Sequence, residues 1–410
     1  MFYKETEFQD SSIGKIPKDW RAAKLTDAAD YINGYAFSPE DWKTEGLPII
    51  RIQNLNDLAA HFNYFDGKID GKYLVRNGDL LFAWSASIGC YLWNRGDAWL
   101  NQHIFKVAPK QGIDRQYLYY TLFMAIEQLK KRVHGSTMKH FKRGELTRAL
   151  IPLPLEKEEQ RAIVGVLGVV DSAVELADTV IAKTERLKKG LMQQLLTRGI
   201  GHTEYKDTAI GKTPKTWQIA RLEDVSEDFI GGGTPSTSNP EYWNGDIAWM
   251  TSAHINGRLI TTGQKYITKK GVENSATHIV PKNNLLVATR VGIGKAAVNK
   301  IDIAISQDLT GVVINKEKAL PEFLYWVLIN GGNRLKSLAQ GSTIKGILRE
   351  ELGKWHIPVP SVNEQKRIDE ILSAADKKLE LERNEKTRLE RVKRGLMDLL
   401  LTGKVRVRMD

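Results

Sequence analysis

The sequence holds a single cysteine, Cys90, in 410 residues. No internal disulfide can form, which fits a reducing compartment. Cys90 sits in an apolar run and reads as a small core residue. No apolar stretch reaches the ~18 residues of a membrane-spanning helix, and Met1 to Phe8 lack the basic start and apolar core of a secretion signal. A cytoplasmic protein with no membrane attachment is expected. The eight histidines show no ligand spacing, and one cysteine excludes a cysteine-rich zinc site, so no metal site is expected. Gly292-Ile-Gly-Lys295 lacks the spacing of a phosphate-binding loop and reads as a scaffold turn.

What is present begins with charge. The formal net charge is +11, and the isoelectric point is near 9.4. Such a basic balance is the electrostatic footprint of a nucleic-acid binder, although other anionic partners or plain solubility also produce it.

One long stretch occurs twice. Ile151-Pro-Leu-Pro154 leads through a charged run to Gln160 and an apolar-periodic segment ending near Thr197. Ile357-Pro-Val-Pro360 leads through Gln365 to a matching segment ending near Thr402. Gly190 and Gly395 stand 205 residues apart, as do Gln160 and Gln365. Ile13-Gly-Lys-Ile-Pro-Lys-Asp-Trp20 recurs as Ile210-Gly-Lys-Thr-Pro-Lys-Thr-Trp217, at an offset of 197. The repeat therefore covers each half of the chain. Trp20 and Trp217 match and read as core anchors.

Short strand-like runs dominate residues 1–154 and 201–360, with a helical stretch in each (Leu118–Leu129 and Phe323–Leu335). The expected class is α+β: two mixed α/β domains at 1–154 and 201–360, separated by long helices at 155–200 and 361–410. The scaffolds match, but the loops differ. Gly231-Gly-Gly-Thr-Pro-Ser-Thr-Ser-Asn-Pro240 stands where the first copy has Asn33-Gly-Tyr-Ala-Phe-Ser-Pro39. Shared scaffolds with different loops are expected of two readers of different targets.

The long segments carry a heptad pattern. In the first, Ile163, Val170, Ala177, Thr184 and Leu191 form one row, and Val166, Ala173, Val180, Leu187 and Gln194 the other. Eight of the ten are apolar. In the second, the rows are Ile368, Ala375, Glu382, Leu389, Leu396 and Ile371, Lys378, Glu385, Val392, Leu399, of which seven are apolar. This predicts a helix-pair seam with a polar waist in the second copy. About 40 helical residues at 1.5 Å rise span roughly 60 Å and need a partner. The simplest partner is the other copy, in an antiparallel coiled coil with a pseudo-twofold. On the repeat alone, a fragment of residues 1–200 is expected to dimerise through its helix.

These phrases resemble the specificity subunits of type I restriction-modification enzymes. The resemblance rests on Ile-Pro-Leu-Pro with Glu-Glu-Gln-Arg at 151–161 and Ile-Pro-Val-Pro with Asn-Glu-Gln-Lys-Arg at 357–367. It also rests on the Gly-Leu-Met and Leu-Leu-Thr phrases, the paired Ile-Gly-Lys-x-Pro-x-x-Trp phrases and the two Gly-Ser-Thr loops. It covers essentially the whole chain. It implies two target-recognition domains, each reading one half of a bipartite site on double-stranded DNA. Paired helices would set the spacing and dock two modification (methyltransferase) subunits, which restriction (translocase and endonuclease) subunits join. It also implies a non-catalytic chain without cofactors, with adenosylmethionine, ATP and Mg on the partner subunits. The residues agree: Asn239-Pro-Glu-Tyr242 departs from the Asn-Pro-Pro-Tyr of adenine methyltransferases at Glu241 and reads as a turn.

Base edges are read by Arg or Lys at guanine and by Asn or Gln at adenine. Candidates on loops after strands are Arg51, Gln53, Asn54, Trp84, Ser85, Asn101, Gln102 and His103 in the first domain. In the second they are Thr251, Ser252, His254, Arg258, Arg290, Ser306, Gln307 and Asp308. Gln102 and Gln307 align, 205 residues apart. The loops holding Ser136, Thr137 and Lys139, and Ser342, Thr343 and Lys345, have two readings: phosphate clamps or helix caps. Two other functions stand beside the first: a coiled-coil adaptor that binds no DNA, and a recognition subunit of a modification-only defence system.

Overall fold

The computed structural model describes residues 2–85, 87–132, 149–337 and 346–408, without the side chains of 128–132. The chain forms two compact units, Met1–Asp178 with Asn384–Asp410, and Thr179–Arg383. The principal helices are α1 (Arg115–Arg132), α2 (Lys157–Arg198), α3 (Pro321–Asn330) and α4 (Val362–Leu400). The division between units falls inside α2 and α4, so each unit owns a portion of both.

Each unit combines two sheets. In unit 1 an antiparallel sheet runs Gly89–Leu92, Leu80–Ala83, Ile104–Pro109, Ala29–Asn33. A smaller one runs Asn63–Phe65, Leu47–Ile50, Ala98–Leu100, Leu74–Val75. Unit 2 repeats the plan with Ser226–Gly231, Leu309–Ile314, Asn284–Ala288, Ala296–Asn299, Leu259–Ile260, and with Lys265–Ile267, Trp243–Met250, Ile303–Ile305, His278–Val280. The smaller sheets even share an unusual parallel ladder, Trp99 with Ile49 and Trp249 with Ala304. The central strands Leu80–Ala83 and Asn284–Ala288 are buried throughout, which suits their apolar runs Leu80–Ala83 and Leu285–Ala288. Cys90 is buried, as its apolar setting predicts.

The Ile-Pro-x-Pro phrases are strands. Leu150–Pro154 pairs antiparallel with Trp20–Lys24, and His356–Val359 with Gln218–Arg221. Both ladders have only two strands, so the prolines remove no bond that a third strand would need. Each ladder brings a tryptophan to the first turn of a long helix. The Trp20 indole donates to Glu159 at 3.1 Å, and the Trp217 indole to Glu364 at 3.0 Å. Both rings are almost fully buried, as core anchors should be.

The neighbouring glutamines explain why the motif repeats. Gln160 accepts from the Asp114 N–H and donates to the carbonyls of Gly112 and Pro154. Gln365 accepts from the Leu320 N–H and donates to Lys318 and Pro360. Each is fully buried. Each closes three backbone groups at the junction of domain and helix, where an apolar residue would leave them orphaned. One difference separates the junctions. In unit 1 Arg406 bridges Glu159, Glu5 and Asp19, whereas in unit 2 His202 meets Glu364 at 2.8 Å.

Ion pairs join the long helices within each unit. In unit 1 they are Asp171–Lys393 at 2.5 Å and Asp178–Lys386 at 2.6 Å. A step of seven up α2 matches a step of seven down α4, which is antiparallel order. In unit 2 they are Glu185–Arg383 at 2.6 Å and Lys188–Asp376. The apolar rows differ from expectation by one position. Ile163, Ala177, Thr184 and Ile368 are buried, and Val170, Leu191, Leu389 and Leu396 half-buried, so the first row holds. The inward partner row is four residues on rather than three: Leu167, Leu195, Leu372, Leu379 and Leu400 are buried. In the expected second row, Leu187, Ile371, Val392 and Leu399 are exposed and Val166 and Val180 only half-buried. Lys378 and Glu385 lie in that exposed row. The shift follows from polarity: Lys188, Lys386 and Lys393 belong to the inner row, and a sequence pattern scored on apolarity passes over them.

Candidate nucleic-acid interface

One glycine sets the geometry of each sheet mouth. A side chain on Gly34 would come within 2.2 Å of the Asn101 carbonyl, and one on Gly232 within 2.2 Å of the Ile305 carbonyl and 2.4 Å of the Ser306 carbonyl. Only glycine lets the loop after the first sheet strand cross so close to the turn at Asn101 or Ser306. Asn101 and Ser306 are buried at that crossing, and the residue after each is half-buried in unit 1 and exposed in unit 2. Gln102 and Gln307 are those next residues, which gives their alignment a backbone cause. Gln307 is exposed and accepts from the Thr234 hydroxyl at 2.7 Å.

In unit 2 this mouth is a cleft of about 700 Å³ lined by Gly231, Gly232, Thr289, Arg290, Gln307 and Arg349, among others. The Arg349 guanidinium lies beside Gly231 and reaches the Phe229 carbonyl at 3.4 Å. Two guanidinium groups, an amide and a hydroxyl thus share one opening. These groups suit phosphate oxygens and base edges. Arg290 and Gln307 are among the candidates; Thr289 and Arg349 are not. The repeat carried a signal for Arg349, since it aligns with Arg143, which lies outside the described residues. In unit 1 the equivalent positions are Trp84, Ser85 and Gln102. The Trp84 ring sits 5.7 Å from His103. Its indole nitrogen and the Gln102 amide oxygen are buried without a partner among the described residues.

Other candidates serve the fold. Asn54 is buried; it accepts from the Arg51 N–H and donates to the carbonyls of Ala60 and His61. The strand ends at Ile50, and Gln53, which is exposed, lies with Asn54 on a one-turn helix, Ile52–Asn56. Arg51 donates to Asn63 at 3.1 Å and stacks over Trp42. Arg258 is half-buried, pairs with Asp369 at 2.9 Å and lies over Trp326, contacts that hold its guanidinium within the fold. Ser85 and Ser252 are buried, and Ser252 donates to Asp308 at 3.4 Å. Thr251 donates to Gln264 at 2.9 Å, and His254 lies 3.3 Å from the Thr262 carbonyl. The loops with Ser136, Thr137, Lys139, Ser342, Thr343 and Lys345 lie outside the described residues. Asn239 caps a single helical turn, Pro240–Tyr242, in agreement with its reading as a turn.

The helices also meet the domains through charge. Lys393 lies over Tyr120, whose hydroxyl donates to Asp171 at 2.7 Å. Burial, and then the Asp171 carboxylate, hold that phenol far above its usual range. Lys188 lies over Trp326 at the equivalent place. Burial pushes the neighbouring Tyr325 phenol up to about 12.

The sequence profile of the type I restriction modification DNA specificity domain matches residues 17–186 and 214–391. The chain belongs to this family, whose profile it matches twice. It is 26% identical over 99% of its length to the putative type I restriction enzyme MjaX specificity subunit of Methanocaldococcus jannaschii, covering 98% of that protein. The EcoR124I/EcoR124II specificity subunit of Escherichia coli is 29% identical over 55% of each chain. Among solved structures, the type I restriction-modification S subunit of M. genitalium superposes with a TM-score of 0.60 at 15% identity, covering 95% of this chain and 97% of that one. A chain from work on complex assembly and conformational transition of the type I system gives 0.59 at 16% identity, covering 95% and 99%. These two structures share the fold. No described helix is long and apolar enough to cross a membrane.

Proposed function

We propose that this chain is the non-catalytic DNA-reading subunit of a type I restriction-modification complex. Each mixed α/β domain reads one half of a split duplex site, and the long helices fix the distance between the halves. The observation that carries this reading is one scaffold with two different mouths. Trp84, Ser85 and Gln102 in one unit stand where Thr289, Arg290 and Gln307 stand in the other, over the same glycine crossing. A duplicated frame with diverged side chains at its opening is suited to two unlike half-sites. The basic charge favours phosphate binding.

The helices offer modification subunits a repeated apolar surface. Leu176 and Leu381 are equivalent and exposed, as are Leu187 and Val392. Solvent-facing leucines at matched positions of a repeat suit two like partners. Adenosylmethionine, ATP and Mg act on those partner subunits.

Adding a modification subunit and adenosylmethionine is expected to yield N6-methyladenine at one split motif, and this chain alone none. Methylation without sequence preference would overturn the reading. Duplex affinity should fall steeply with salt, through counterion release; a salt-independent or absent affinity would favour the protein adaptor.

A further inference from the structure

Four ion pairs between α2 and α4 fall into two kinds when the 205-residue repeat is applied to them. Lys188 is equivalent to Lys393, and Asp171 to Asp376. The pairs Lys188–Asp376 and Asp171–Lys393 are therefore copies of one rung. Any antiparallel pairing retains it: α2 with α4, α2 with a second α2, or α4 with a second α4. The remaining rungs, Asp178–Lys386 and Glu185–Arg383, are both lost in a pair of two α2 helices. Arg383 is equivalent to Asp178, and Lys386 to Ile181. At these two rungs α2 supplies the carboxylates and α4 the cations.

The consequence for partner choice follows position by position. In a pair of two α2 helices, Glu185 faces Asp178 of the second copy, and Asp178 also faces Ile181. Four carboxylates then crowd the centre without either cation of α4. In a pair of two α4 helices, Arg383 faces Glu390 of the second copy, the equivalent of Glu185, as well as Lys386, so attraction and repulsion there nearly offset. Charges flanking a helix seam set partner choice in this way, through attraction in the right pair and repulsion in the wrong ones.

We propose that Asp178 and Glu185 of α2, met by Lys386 and Arg383 of α4, make the helix surface of the first half selective for the second half and reject a second copy of itself. The repeat alone predicts that the 1–200 half dimerises; its charges oppose that. The shared outer rung holds any pairing together, and the central rungs decide which pairing forms. This does not depend on what the domains bind.

The test uses the full chain with a protease site inserted between the exposed Thr203 and Glu204, cut after purification so that every residue is retained. Brief passage through mild urea permits re-pairing, and native mass spectrometry counts mixed and like pairs of the two pieces. Mixed pairs are expected in about tenfold excess over like pairs, or more. Glu185→Lys places an ammonium opposite Arg383 in the mixed pair but opposite Asp178 in the like pair. It is expected to raise like pairs of the first piece about tenfold. Random pairing of the unaltered pieces, or no response to Glu185→Lys, would overturn the proposal. The intact chain gives an independent measure. Glu185→Arg and Arg383→Glu should each lower the thermal midpoint and together restore it; a double variant no better than the singles counts against the rung.

Discussion

Gln160 and Gln365 show how single residues knit this molecule. Each ties the start of a long helix to a recognition domain through three backbone bonds. Gln160→Leu keeps the volume but orphans those groups, so it should cost about 2–5 kcal/mol in urea unfolding. Gln365→Leu should cost a similar amount in the other unit. A loss below about 0.5 kcal/mol, the usual range for surface changes, would mean the bonds are replaceable by water. Glu322 gives a pH dependence. Burial raises its pKa, but hydrogen bonds from Lys300 and the backbone, with the charges of Lys300 and Arg258, outweigh this and leave it below the usual 4.5. A depressed carboxyl adds stability above its unfolded pKa and loses it as pH falls through the folded one. The stability gap between the wild type and Glu322→Gln should therefore be constant from pH 7 to about 5 and close below about 4.5. A gap that persists at pH 3 would contradict the ion pair as its source. At this scale the tryptophans and glutamines were legible as repeated letters. Their bonds were not, because Glu159 and Glu364 meet the indoles across more than a hundred residues of chain.

The two long helices carry the clearest lesson about elements. Their existence, extent and direction were readable from periodicity and repeat, and α2 and α4 fall where the pattern places them. The inner face was readable only in half. The row at Ile163 and Ile368 is inward, but its partner row is shifted by one residue, because half-buried lysines paired to aspartates look polar in a sequence. The shift has a direct consequence for mutants of the isolated chain. Leu372→Ala should cost about 2–4 kcal/mol, since Leu372 is fully buried. Leu399→Ala, on the exposed row, should cost less than about 0.5 kcal/mol. Thermal or urea unfolding of the pair checks this, and equal costs would restore the original register. The sheet mouths were legible in a similar partial way. Gln102 and Gln307 stand where the repeat placed them, but Asn54 and Arg258 carry base-reading chemistry in the sequence and structural duties in the fold. Polarity and a loop-like setting do not distinguish a side chain that faces solvent from one that satisfies its own backbone.

For the whole molecule, two units built from one plan raise the question of whether their differences are functional. If each unit reads its own half-site, altering the mouth of one should change one half of the recognised motif and leave the other intact. Arg290→Ala with Gln307→Ala alters only unit 2, at exposed positions whose loss should leave folding unchanged. The decisive measurement is sequencing of methylated bases in DNA treated with the assembled complex, the wild-type chain beside this double variant. The account predicts a split motif in which the variant relaxes bases in one half only, with the spacing and the other half preserved. Methylation that ignores sequence, or a variant that changes both halves together, would contradict it.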